Sequence, residues 1–112
     1  VGPNLGQLHH FYYFNRGKSL YSEEKFYKEA VRVYRALNNQ LKKNKYFAGN
    51  EYSIADISIF PWVARHEWHM PERINLKKDY EFLVSWYERL SSRPAVIRGY
   101  DCLNKGEKIP KI

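Results

Sequence analysis

The stretch Tyr52-Ser53-Ile54-Ala55-Asp56-Ile57-Ser58-Ile59-Phe60-Pro61-Trp62 constrains this chain more than any other. Ser53 is placed to cap a helix, because its hydroxyl can accept the N3 backbone N–H. Asp56, three residues on, can reach back to the Ser53 N–H and complete a capping box. Tyr52 and Ile57 have the spacing of a hydrophobic staple. Ile59, Phe60, Trp62, Val63 and Ala64 follow, so both faces of the helix are apolar. A helix that is apolar all round belongs inside a core. Its first four N–H groups then have no water to bind, which makes the side-chain cap structural.

Helical spacing recurs along the chain. Residues 3–15 read as a helix in which Pro3 suits the first turn. Gly2 and Gly6, four apart, leave a small-residue face where another backbone or a ligand can approach. Gly17 suits a helix end, and 18–21 reads as a loop. Ser22 is the expected cap of a second helix, with Glu23 and Glu24 in its first turn. Phe26, Ala30, Val33, Tyr34, Leu37 and Leu41 fall on one face of that helix, which should run to about Asn44. The third helix is expected from Ile54 to about Glu67, kinked at Pro61. Residues 70–78 read as a connection. Phe82, Leu83, Trp86 and Leu90 mark a fourth helix over 80–91, and Pro94 opens a short fifth. No strand pattern or repeat intervenes. The fold class is therefore all-α, a bundle of about five helices. Residues 1–103 form one domain and 104–112 a tail.

No apolar run approaches the ~18 residues of a membrane-spanning helix, and no signal-peptide pattern is present. The chain begins with Val rather than Met, which suggests a fragment or a processed chain. Its single cysteine, Cys102, excludes an intrachain disulfide and suits a reducing cytosol, so a cytoplasmic location is expected. The net charge of +7 raises the question of an anionic partner. Lys42, Lys43 and Lys45, however, have a sufficient role at the negative end of a helix dipole. No nucleic-acid-binding motif accompanies them, and nucleic acid is not the expected partner.

Few residues suggest chemistry. His66 and His69 are three apart and could share an ion, but neither they nor His9-His10 have an evident third ligand. They read as surface or interfacial histidines, and no metal is expected. Cys102 lacks an acid–base partner and reads as a semi-buried small hydrophobe. No catalytic residue is assigned. Phe11-Tyr12-Tyr13-Phe14 is different: four consecutive aromatics cannot all face one core. Some must face a ligand, a partner or another domain.

Gly49-Asn50-Glu51-Tyr52-Ser53-Ile54-Ala55-Asp56, with Pro61-Trp62-Val63, resembles the capping-box motif of the C-terminal helical domain of glutathione S-transferases. Gly2-Pro3-Asn4-Leu5-Gly6-Gln7 with His9-His10-Phe11 resembles the first helix of that domain in the nu-class branch. This branch includes bacterial disulfide-bond reductases and relatives of the yeast prion nitrogen regulator. Ser92-Arg93-Pro94-Ala95 resembles the junction of the last two helices. The resemblance implies a parent enzyme with glutathione as co-substrate, activated by an N-terminal thioredoxin-like domain that is absent here. It also implies a homodimer. The helical domain would line the site of the electrophilic or disulfide co-substrate. Asn4, Gln7, Phe11, Tyr12, Lys25, Trp62 and Arg65 are the pocket candidates. An Arg at the position of Lys25 can contact the glutathione carboxylate in the family. Lys keeps the charge and loses the bidentate geometry. The alternative is a non-catalytic docking module, as similar helical domains serve in translation factors and aminoacyl-tRNA synthetases.

Overall fold

The computed structural model describes residues 1–102 and 105–112. The expected boundary between domain and tail, at 103 and 104, lies outside the described residues. Six α-helices are present among those described: α1 (Gly2–His9), α2 (Leu20–Lys43), α3 (Ile54–Ala64), α4 (Leu76–Asp79), α5 (Glu81–Ser91) and α6 (Pro94–Tyr100). A π-helical turn, His10–Phe14, continues α1, and a 3-10 turn, His66–Trp68, follows α3. No strand occurs among the described residues; Tyr46 and Gly49 form an isolated bridge. The single turn α4 lies in the expected connection, and with it the bundle exceeds the expected five helices by one.

The long α2 is the central element and packs on both α1 and α5. Its inner face is the expected stripe: Ala30, Tyr34, Leu37 and Leu41 are buried, and Phe26 and Val33 partly so. Trp86 and Leu90 of α5 meet that face fully buried. Phe60 of α3 stacks on Tyr87 with ring centroids 5.0 Å apart. The N-terminus of α5 has no cap of its own. Asn38 of α2 supplies one: its Oδ1 accepts the Phe82 and Leu83 N–H groups, each at 3.0 Å.

The capping box of α3 forms. Ser53 Oγ accepts the Ala55 N–H at 3.3 Å, and the Asp56 carboxylate accepts the Ser53 N–H at 3.0 Å. Asp56 does more than close the box. It is fully buried, and its Oδ1 also accepts the Phe47 N–H at 3.2 Å and the Trp86 indole N–H at 2.8 Å.

Several expectations need correction. The cap of α2 is Ser19 rather than Ser22: Ser19 is extended, and its Oγ accepts the Ser22 N–H at 3.2 Å. The helix therefore begins at Leu20, within the expected loop. The third helix stops at Ala64, three residues early, where Arg65 leaves helical geometry (ψ 22°). Met70 then takes a positive φ of 52° while its side chain is buried, which turns the chain toward α4. Nor is α3 buried all round. Ile54 is 80% and Ile57 53% exposed, and Pro61 is exposed with them, so one apolar stripe faces outward. Beyond Gly106 the tail carries no helix, yet Ile109 and Ile112 pack against the core. The Pro110 carbonyl accepts the Tyr87 hydroxyl.

The cap makes a sharp energetic prediction. Ser53→Ala should destabilise the chain by ~1–2 kcal/mol, the usual cost of a lost N-cap. Asp56→Ala should cost more, ~3 kcal/mol, because it leaves the Trp86 indole and two backbone N–H groups unpaired in the interior. Urea melts of both variants test this ordering; an Asp56→Ala midpoint equal to wild type would exclude it.

Candidate functional site

The seven pocket candidates are built around α1. Asn4 and Gln7 lie on α1 itself. Asn4 is part-buried and donates weakly to Glu29 of α2 at 3.4 Å, and Gln7 is exposed. The small-residue face of Gly2 and Gly6 is filled by the Trp62 indole rather than left to a ligand. A Cβ on Gly2 would sit 3.0 Å from Trp62 Cζ2, and one on Gly6 3.6 Å from Cη2. Arg65, at the end of α3, lies over the Trp68 ring at 4.4 Å. His9 stacks on the same indole, with centroids 4.4 Å apart. The order His9, Trp68, Arg65 thus ties α1 to the exit of α3.

The π turn distributes the aromatic block. Phe11 stacks on Phe26 of α2 at 5.8 Å, and Lys25 Nζ sits 5.7 Å from the Phe26 centroid. Tyr12 turns the other way and donates its hydroxyl to Glu72 at 2.8 Å. Arg16 lies over the Tyr12 ring at 4.6 Å and pairs with Glu72 at 3.1 Å. Burial and then the Glu72 carboxylate push the Tyr12 phenol up, so it remains a donor at neutral pH. Tyr13 and Phe14 remain 55% and 66% exposed, and Leu20 and Tyr21 at the start of α2 are more exposed still. One seam along α1 thus joins Trp62 and Arg65 on one flank to Phe11, Phe26 and Lys25 on the other. Arg65 also lines a cavity of about 560 Å³ between α3 and α6, with Tyr52, Ile57, Pro61, Val96 and Tyr100. The intended staple pair, Tyr52 and Ile57, forms part of that open wall.

Two sequence readings fail here. Cys102 is exposed rather than semi-buried. His69 is buried, not superficial, because Met70 turns the chain inward directly after it. Its Nδ1 lies 2.8 Å from the Tyr34 hydroxyl. Burial pushes the Tyr34 phenol well up, so Tyr34 stays protonated in this contact, and the His69 tautomer sets which group donates. The other ring nitrogen, Nε2, is shielded and has no partner; the same holds for Nε2 of His9 and of His66. Sequence reasoning missed Glu72, Tyr34 and Asn38 as partners, since each acts across 35 to 60 residues. No group of three or more His, Cys, Asp or Glu side chains that could hold a metal occurs among the described residues.

With this geometry in view, the comparisons decide the family. The description "Glutathione S-transferase, C-terminal domain" matches residues 3–94. The chain belongs to that family. It is 40% identical over 95 residues to the disulfide-bond oxidoreductase YfcG of Escherichia coli, covering 85% of this chain and 42% of that protein. It is 35% identical over 98 residues to YghU, a second disulfide-bond oxidoreductase of the same organism, covering 84% of this chain and 34% of that one. Among solved structures it resembles a glutathione transferase of Burkholderia graminis. The TM-score is 0.84 at 29% identity, covering 94% of this chain and 45% of that one. That protein was crystallised with two glutathione molecules bound per subunit. The chain thus spans less than half the length of these relatives. As in the family's helical domain, the described residues are helical, and no helix among them is long and apolar enough to cross a membrane.

Three histidines shielded to different degrees set a pH dependence. Desolvation foremost, then the charges of His9 and His66, lowers His69 to about 3. Desolvation also lowers His9, reinforced by Arg65 and His10, and lowers His66, where Glu67 and the Lys111 backbone oppose it. A folded-state value below the unfolded value of ~6.5 means that the unfolded chain binds more protons. The stability is therefore present above pH ~6.5 and lost as pH falls toward the folded value. His69 alone should cost about 2 kcal/mol between pH 7.5 and 5. Urea midpoints across that range check it, and His69→Gln should flatten the profile.

Proposed function

We propose that this chain is the helical C-terminal domain of a glutathione-dependent transferase or disulfide reductase. In this reading the α1 seam walls the hydrophobic co-substrate site. The observation that supports it is that Asn4, Gln7, Phe11 and Tyr12 lie on α1 and its π turn, with Trp62 packed on Gly2 and Gly6 and Lys25 beside the Phe26 ring on which Phe11 stacks. The similarity to bacterial disulfide-bond oxidoreductases, and to a transferase that binds glutathione, supports the reaction class. Apolar and aromatic surface with a few fixed polar groups suits a hydrophobic co-substrate. Lys25 is exposed in the first turns of α2 and offers a point charge to a glutathione carboxylate, without the two-pronged geometry of Arg.

The activating group for glutathione lies, in this proposal, in a preceding thioredoxin-like domain. The outward stripe of Ile54, Ile57 and Pro61, with the groove beside α6, gives such a domain an apolar seat. The exposed patch of Tyr13, Phe14, Leu20 and Tyr21 supports a subunit contact between two copies. A reducing cytoplasm suits this chemistry.

Two experiments test the proposal. The purified 112-residue chain should show no glutathione-dependent conjugation or disulfide reduction. Turnover abolished by a mutation within the chain would overturn the division of labour. In the parent protein, Trp62→Ala should raise KM for the disulfide or electrophile several-fold and leave KM for glutathione near wild type.

Association is read separately. Sedimentation of the chain at ~100 μM should show self-association that Tyr13→Glu weakens without unfolding, because Tyr13 faces outward. A monomeric wild type that binds no apolar dye would remove the interface role.

A further inference from the structure

A second cluster involves none of the seven pocket candidates. Tyr46 is buried where the α2–α3 loop meets the α5–α6 junction, and three cations surround its ring. Lys45 Nζ and Arg89 Cζ each lie 5.6 Å from its centroid, and Arg93 Cζ lies 6.0 Å away. Arg93 also stacks on Tyr52 at 3.9 Å and makes a long hydrogen bond, 3.5 Å, to the Tyr46 hydroxyl. Arg89 donates through Nη2 to the Lys45 carbonyl at 2.6 Å, which fixes its head beside the loop.

Among the described residues none of these cations meets a carboxylate. The ion pairs among the described residues are Arg16–Glu72, Arg32–Glu29 and Arg73–Glu24. Arg89 Nε is also shielded from solvent without an acceptor. Three positive charges gathered on one ring repel each other, and cation–π attraction offsets part of that cost. The remaining donors have no anion. The Tyr46 phenol registers the same field: the Arg93 hydrogen bond, then the Lys45, Arg93 and Arg89 charges, draw it below its usual range.

We infer that Lys45, Arg89 and Arg93, held on Tyr46 and Tyr52, form a binding site for a phosphate group, either the free ion or a phosphomonoester. The class follows from the donor set. Every group at the site donates, so the ligand must be an acceptor. A phosphate near pH 7 carries about −1.5 to −2 charges and three acceptor oxygens, and so matches three cations better than a single carboxylate does. Guanidinium heads suit its geometry.

The test is an amide NMR titration of the 112-residue chain at pH 7.5 and constant ionic strength. Inorganic phosphate, phosphoserine and chloride are added in parallel. Phosphate should shift the amides of residues 45–47 and 89–93 and saturate at about 10 mM or less. Chloride should not. Equal affinity for phosphate and phosphoserine assigns the free ion, and tighter phosphoserine binding assigns an esterified group. Lys45→Gln, whose side chain makes no hydrogen bond in the fold, should weaken binding at least about tenfold; Arg89→Gln should do the same. Shifts that rise without saturation, that chloride reproduces, or that both variants retain would overturn the site.

Discussion

The fold turns on one buried carboxylate. Asp56 closes the first turn of α3, holds the loop through Phe47 N–H and anchors α5 through the Trp86 indole. Three segments distant in sequence therefore meet on one pair of oxygens. Hydrogen bonds to an ionised acceptor are about twice as strong as neutral ones. The position at a helix N-terminus adds a favourable dipole. The dependence is acute because α3 has apolar residues on every side. Its own pattern does not say which face should turn inward. The cap and the Trp86 contact make that choice, and leave Ile54 and Ile57 outside.

That orientation of α3 builds the α1 seam. Once Asp56 fixes the register, Trp62 falls two turns later against α1. The glycines at positions 2 and 6 have a packing reason there: a Cβ at Gly2 would reach the indole at 3.0 Å, closer than comfortable contact. The same rotation carries Arg65 onto the Trp68 ring, which also stacks on His9. The π turn then sends successive aromatics in different directions, so Phe11 joins the interior edge while Tyr13 and Phe14 stay in solvent. A local widening of the helix thus separates residues that pack from residues that stay exposed.

What the sequence made legible was local. The α2 stripe repeats at helical spacing, the Ser53–Asp56 box spans four residues, and Pro94 opens α6; each follows from neighbours alone. The α2 cap was misplaced because Ser19 and Ser22 offer the same hydroxyl, and only the extended backbone at Ser19 distinguishes them. The outward face of α3 was hidden for the opposite reason: its composition gives no contrast between faces. Buried His69 was missed because its place depends on the positive φ of Met70, which no residue type there announces. The pocket candidates came from family resemblance. Their gathering on one seam depends on contacts such as Tyr12 to Glu72 that no short-range pattern encodes.

The basic charge also changes meaning once it is placed in space. Glu24, Glu29 and Glu72 are committed to Arg73, Arg32 and Arg16, which neutralises that side of the bundle. Lys42 and Lys43 close α2, where a helix dipole is reason enough for them. Lys45 is next in the row but belongs to a different structure. It lies beyond the helix, over Tyr46, with two arginines from the α5–α6 junction. Part of the net charge of +7 is thus concentrated in one place. Three carboxylates pair with arginines, and three further cations share one aromatic platform. The domain presents an apolar stripe on α3, an aromatic edge beside α1 and a cationic end at Tyr46. Each calls for a partner of different chemistry.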